Sequence, residues 1–324
     1  MNPISDNDRG LFGIIIDDGR PLLSLTGVAL IGSGLFAFFL SATKHFLPHD
    51  IAYLGMTPPQ LCAINECRIV HFMIHDRVSF GGSLVAVGTL YLWLAAVPLR
   101  NGEAWAWWLF VVSGLAGFSS FLLYLGYGYL DTWHGAATLV LLPCFLIGLA
   151  KSYRCLGTPA TIRSLFRAGE SLTPASCYGM GQLLLLATAF CLFVGGLIIA
   201  TVGVTTIFVP QDLEYMGMTV EELTAVNPRL PSLIAHDRAG FGGGVACCGL
   251  TMFFCIWCGR ASRSRWQTLL ITGLCGFATA IGVHPAIGYN NFLHLSPAII
   301  GATLFTIGIV LTHDAPRAMC PPSP

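Results

Sequence analysis

Four histidines form two matched pairs along the chain. His75 and His236 each begin a His-Asp-Arg motif, and His134 and His294 follow them after 59 and 58 residues. Two imidazoles that face each other can supply both axial ligands of an iron held in a flat macrocycle. The spacing therefore predicts His75, His134, His236 and His294 as metal ligands.

The positions beneath these histidines hold small side chains. On a helix, positions 3, 4, 7 and 11 after a residue all lie on its side of the helix. After the four histidines, such positions hold Ser79, Gly82, Ala86, Gly240, Gly243, Cys247, Ala137, Thr138, Pro297 and Ala298. A shelf of small residues leaves room for a macrocycle, but it also permits close packing of membrane helices, and the sequence leaves both open.

Charged residues complete the two His-Asp-Arg motifs. They are Asp76, Arg77, Asp237 and Arg238. Arginine binds anionic groups well, so Arg77 and Arg238 are candidates for holding a cofactor carboxylate, and their neighbours Asp76 and Asp237 are candidate cofactor-binding residues with them. Arg77, however, lies two positions after His75 and points about 200° away from it on a regular helix. The alternative is an Asp–Arg network that holds the outer loop before the second span of each half, as a lid, over the helices.

The first half of the chain carries reactive groups that the second half lacks. His71 lies one helical turn before His75, and Cys62 and Cys67 lie in the preceding loop. We therefore expect the chemistry in the first half, with His71, His75, His134, Cys62 and Cys67 as candidate catalytic residues. The two cysteines could form a disulfide or remain free thiols, and the sequence favours neither.

Membrane helices must position these groups. Of 324 residues, 55% are apolar and 10% charged, and the mean hydropathy is +0.72. A soluble domain carries about 25% charged residues, so an ordinary cytosolic enzyme is excluded. The net charge of zero offers no field that would recruit a nucleic acid. Eight apolar stretches can each cross a membrane as a helix, near 22–46, 71–97, 105–126, 133–150, 178–208, 234–258, 266–283 and 292–312.

An internal repeat organises the eight stretches. The segment 48–57 matches 210–219 at six of ten positions, and matched positions along the chain stay 159 to 162 residues apart. We therefore predict an all-α membrane protein of eight transmembrane helices, built as two parallel four-helix repeats about a pseudo-two-fold axis along the membrane normal. The predicted segments are an N-terminal segment (1–21), a first repeat (22–150), a linker (151–177), a second repeat (178–312) and a tail (313–324).

Basic residues predict the orientation in the membrane. With the N-terminus inside, eleven Lys and Arg residues fall in the inner segments and five in the outer segments. Cytoplasmic loops normally carry the excess. We expect a multi-pass protein of the cell (cytoplasmic) membrane, in contact with membrane lipids and with both termini in the cytoplasm.

The layout resembles the heme A synthase family. The similarity comprises eight spans as a 4+4 repeat, one histidine on the second and fourth span of each half, and the Cys62 and Cys67 pair confined to the first outer loop. Phe72 stands where that family has Glu, and Asp76 separates His75 from Arg77, so the resemblance is chiefly one of architecture.

The resemblance implies a cofactor and a reaction. A resident heme b would be bound by His236 and His294, and a second heme would be the substrate between His75 and His134. The activity would be that of a membrane oxidoreductase acting on heme or on another lipophilic molecule such as a quinone. A redox protein would be a further partner, and a homo-oligomer is compatible with the sequence.

Two other classes of function remain open at this point. His-Asp pairs beneath a lid could bind a non-heme metal or protons in a transporter or sensor. The chain could also be a structural subunit of a larger membrane complex. The absorption spectrum of the purified protein separates the heme hypothesis from these alternatives.

Overall fold

The structure is a computed structural model that describes residues 16–123, 129, 131–156 and 160–313. Within these residues the secondary structure is entirely helical, as predicted. The α-helices are α1 (Arg20–Ala42), α2 (Pro48–Leu54), α3 (Pro58–Cys62), α4 (Arg68–Ala96), α5 (Ala104–Leu123), α6 (Thr132–Tyr153), α7 (Cys177–Val204), α8 (Pro210–Met216), α9 (Val220–Val226), α10 (Leu230–Cys258), α11 (Arg263–Ile287) and α12 (Phe292–Leu311). The predicted linker contains a short 3-10 helix, Ile162–Phe166. Most of the predicted N-terminal segment and tail lie outside the described residues.

Seven of these helices are long and apolar enough to cross a membrane, namely α1, α4, α6, α7, α10, α11 and α12. A multi-pass membrane architecture follows. The remaining long helix, α5, is apolar over the shorter stretch Ala104–Ser119. The span predicted near 105–126 therefore stays a prediction.

Glycines allow close contact between neighbouring helices. A Cβ atom on Gly242 of α10 would collide with the backbone of Ala200 on α7, and one on Gly81 of α4 would lie 3.0 Å from the carbonyl oxygen of Gly34 on α1. Gly82, a predicted shelf position, is used in the same way, because a Cβ there would overlap Thr279. Part of the predicted shelf is therefore a helix–helix contact of the kind that small residues permit in membranes.

The two halves of the chain interlock through α4 and α10. These two helices pack against each other. α4 also packs along α11, and α10 packs along α5, so each reaches the third long helix of the other half. Side chains on α4 consequently meet residues of the second half.

The short helices α2, α3, α8 and α9 lie at one end of the bundle, which we call the lid end. Polar contacts between these segments cross from one half to the other. Asn65 Nδ2 donates to the carbonyl oxygen of Met216 at 3.1 Å, and Asn227 Nδ2 donates to that of Leu54 at 2.8 Å. Each half therefore helps to fasten the lid helices of the other.

Candidate metal centre

Three imidazoles from three helices meet near the lid end. His75 comes from α4, His284 from α11 and His294 from α12, and we call them the three-histidine cluster. The ring centroids of His75 lie 4.7 Å from His284 and 5.5 Å from His294, and those of His284 and His294 lie 5.4 Å apart. One ring nitrogen of each lies within 4.8 Å of the other two. A point within about 2.8 Å of all three nitrogens therefore exists, and a small inward movement would give the ~2.0–2.1 Å bonds of a metal ion.

A carboxylate orients His75. The Nδ1 atom of His75 lies 2.8 Å from Asp76 Oδ1, and both side chains are buried. Asp76 Oδ2 accepts a hydrogen bond from Arg238 Nε at 3.2 Å, so we assign Asp76 as ionised and Nδ1 as the donor. The lone pair of His75 is then on Nε2. This carboxylate–imidazole arrangement is the usual support of a histidine that binds a metal.

His284 was not among the predicted site residues. Its side chain is buried, and its Nε2 atom has no hydrogen-bond partner among the described residues. Position 124, at the repeat offset of 160, holds Tyr and lies outside those residues. The repeat does not point to His284, because the matching position in the first half holds no histidine. The available signal was an ionisable side chain directly after the apolar stretch near 266–283.

A second cluster joins α6 to α10. Asp131, His134 and His236 bring one possible ligand atom each within 4.8 Å of the others. Asp131 is already engaged, because His134 Nδ1 lies 2.6 Å from its Oδ2 atom and the backbone N–H of His134 donates to its Oδ1 atom at 3.1 Å. Burial alone would raise the pKa of Asp131, but the hydrogen bonds and charge of His134, together with His49, outweigh it and lower the pKa. This cluster is therefore less open to a metal ion than the three-histidine cluster.

The histidines pair across the halves rather than within them. The resemblance paired His75 with His134 and His236 with His294. In the structure His75 lies beside His294, and His134 lies beside His236 with a centroid distance of 5.9 Å. This arrangement arises because α4 and α10 pack at the junction of the halves and bring their histidines to helices of the opposite half.

Two arginines, the largely buried Arg77 and the buried Arg238, tie the lid helices to the bundle. Arg77 Nη2 lies 2.9 Å from Asp50 Oδ2 of α2, and Arg77 Nε lies 2.8 Å from Asp237 Oδ2 of α10. Each contact joins oppositely charged groups away from solvent. Arg77 therefore bridges a lid helix of its own half and the His-Asp-Arg motif of the other.

Arg238 makes the matching contacts in the second half. It pairs with Asp212 of α8, and its Nε atom lies 3.2 Å from Asp76 Oδ2 of α4. We call Asp50, Asp76, Arg77, Asp212, Asp237 and Arg238 the ion-pair network. Each guanidinium group pairs with two carboxylates. The two arginines therefore hold the lid helices in the ion-pair network and are not directed at a cofactor carboxylate. The two-residue offset from each histidine is the reason, because it turns the arginine to another face of the helix.

Two tyrosines extend the ion-pair network. Tyr129 OH donates to Asp50 Oδ1, and Tyr289 OH donates to Asp212 Oδ1 at 2.8 Å. Burial, and then the adjacent carboxylate, raise the pKa of Tyr129 and of Tyr289, so both hydroxyls stay protonated donors. Asp50 and Asp212 were not predicted as network members. Aspartate occupies the third position of both matched segments, 48–57 and 210–219, and this repetition was the signal that pointed to them.

The other first-half candidates lie outside both clusters. His71 Nε2 lies 3.3 Å from Lys44 Nζ. Cys62 and Cys67 form a disulfide, which is one of the two alternatives that the sequence left open. Cys67 precedes His75 by eight residues, or about 12 Å along a helix, so the disulfide does not touch the cluster. The three-histidine cluster takes two of its members from the second half, which does not fit chemistry confined to the first half.

An apolar cavity adjoins the three-histidine cluster. Its volume is about 560 Å³, and α4, α7, α10, α11 and α12 line it. The cluster lies at one end, and the predicted shelf residues Ser79, Pro297 and Ala298 contribute to the wall. The volume falls within the range of about 300–1,000 Å³ that is typical of small-molecule sites.

Comparison of the chain with family models, curated proteins and solved structures gives no match. The resemblance to the heme A synthase family consequently stays a hypothesis that rests on the residues themselves.

Proposed function

We propose that this chain is a multi-pass membrane metalloprotein whose three-histidine cluster binds a transition-metal ion. The observation that carries the proposal is the approach of one nitrogen each from His75, His284 and His294 to within 4.8 Å of the others. Imidazole nitrogen is a suitable ligand for zinc, copper, iron and nickel. Three protein ligands with a further open position are the pattern of catalytic metal sites, whereas structural sites are closed by four.

The surroundings of the cluster support a reaction on a lipophilic molecule. The cavity begins at the three histidines, so a ligand within it would reach the open position of the metal. Asp76 would keep the His75 ring in place through Nδ1. With copper or iron at the site, the supported chemistry is the oxidation or reduction of a lipid-soluble substrate.

Heme b is the second candidate, because small side chains line a cavity of about 560 Å³ beside the histidines. If two members of the cluster held its iron, the nitrogen of the third would lie within about 5 Å of the iron, where the porphyrin ring would need space. Heme would fit only after the third imidazole, such as His284, had left its position.

One set of measurements on the purified protein tests both candidates. We expect elemental analysis to find about one transition-metal ion per chain and the visible spectrum to lack a Soret band. Iron together with a Soret band would replace the first candidate by heme. Absence of both, after growth and purification with added metals and heme, would contradict the proposed function.

We also propose the eight-span, 4+4 arrangement, with the lid end outside and both termini in the cytoplasm. Matched contacts of Arg77 and Arg238, and the eleven-to-five distribution of basic residues, support it. A single cysteine introduced at Thr57 should react with an impermeant thiol reagent in intact cells, and one at Arg163 should react only after lysis. A background variant without the native exposed cysteines serves as the control. The opposite labelling pattern would reverse the topology.

A further inference from the structure

The cavity beside the three-histidine cluster is long. Along α7 its wall runs from Thr188 to Val202, which is a rise of about 21 Å. A cavity of that length accommodates an extended apolar chain.

The cavity is open toward the surface of the bundle that faces lipid. α7 and α12 meet closely near their other ends, where a Cβ on Gly181 would lie 3.0 Å from the carbonyl oxygen of Gly308. Toward the lid end, the cavity wall includes Ile198 of α7 and Leu293 of α12, which are 59% and 70% exposed. A molecule dissolved in the membrane can therefore enter from the side.

The chemistry at the histidine end selects a neutral, flat head. Among the residues that line the cavity, the one with a permanent charge is Arg238, and Asp76 and Asp212 balance it. A carboxylate or phosphate head would find no uncompensated cation there. The open position of the proposed metal ion would face a neutral oxygen there, and Phe241, whose ring lies 6.3 Å from that of His75, adds an aromatic surface.

We propose that the cavity binds a quinone or quinol with a single apolar tail. The tail lies along α7 and α11, and the oxygen-bearing ring lies against the three-histidine cluster. The inference rests on the proposed function for the place of the ring beside a metal, whereas the tail site is tested separately.

Two glycines line the tail site at positions where a larger side chain would fill the cavity and its Cβ would meet no other atom. Gly276 of α11 and Gly195 of α7 line the cavity, and a Cβ built on either meets no atom within 4 Å. Gly282 of α11 provides a matched control, since it also has open space around its Cβ but faces outward and does not line the cavity. Leucine at each position adds the same bulk to a helix.

The test uses protein in lipid nanodiscs and a photoreactive azido-quinone with a ten-carbon tail. We expect the probe to label cavity residues, and decylubiquinone to compete with it. Gly276→Leu and Gly195→Leu should each lower specific labelling at least about tenfold, while Gly282→Leu should match the wild type. Dodecanoic acid, which has a charged head, should compete poorly. Metal content is measured on every sample.

The outcomes separate this inference from the proposed function. Unchanged labelling in both cavity variants, or better competition by dodecanoic acid than by decylubiquinone, would overturn the quinone site even if metal is bound. Labelling that depends on Gly276 in a protein that binds no metal would support the quinone site and contradict the metal proposal.

Discussion

Replacing His284 with alanine is expected to weaken metal binding by at least about 100-fold. Changes in residues that merely support a metal ligand cost about 10–100-fold in affinity, so loss of a direct ligand should cost more. The variant leaves the ion-pair network and the glycine contacts intact, so the protein should remain folded. Competition with a chromophoric chelator measures the affinity, and elemental analysis of the dialysed protein measures the stoichiometry.

His45→Ala is the matched control for His284→Ala. His45 is exposed and belongs to neither cluster, so its removal should leave the metal affinity unchanged. The same pair of variants also separates the two candidate cofactors, because heme ligated by His75 and His294 would survive the loss of His284. Equal metal affinity in His284→Ala and the wild type would mean that the three-histidine cluster is not the metal site.

The positions of the long helices could be predicted because they depend on local sequence. The apolar stretch near 234–258 became α10, Leu230–Cys258, and the one near 292–312 became α12, Phe292–Leu311. Apolar length decides where a chain can cross a membrane. The packing of α4 along α11 could not be predicted in this way, because it depends on which small residues, such as Gly82, meet a partner on another helix.

The candidate site could be predicted only in part. The repeat pointed to His75 and His294, since matched positions in both halves carry histidine, and both belong to the three-histidine cluster. Helical periodicity gives the depth and the face of such a residue but does not identify the neighbouring helix. The repeat therefore suggested His134, in the same half, as the partner of His75, whereas His284 and His294 lie beside it. His284 has no match in the repeat and was not predicted.

Replacing Arg238 with methionine is expected to cause a large loss of stability. It would leave Asp76 and Asp212 buried without their cation, and both side chains are at most 2% exposed. Removal of one partner from a buried ion pair costs about 3–5 kcal/mol. Arg77→Met should cost a similar amount, because Arg77 holds two carboxylates in the same way. Equilibrium unfolding in mixed micelles, followed by circular dichroism, measures the free energy of unfolding.

Two further variants show whether stranded charge causes this loss. Arg68→Met removes an exposed arginine that pairs with Glu66, which is 84% exposed, and donates one long hydrogen bond of 3.4 Å to the carbonyl oxygen of Tyr215, so it should cost no more than about 1 kcal/mol. Adding Asp212→Asn to Arg238→Met removes one of the two uncompensated carboxylates and should recover part of the lost stability. If Arg238→Met were no more destabilising than Arg68→Met, the ion-pair network would not be what fastens the lid helices. A double variant less stable than Arg238→Met alone would instead point to the hydrogen bonds that Asp212 accepts from Tyr289 OH and from the backbone N–H of Val209 as the stronger contacts.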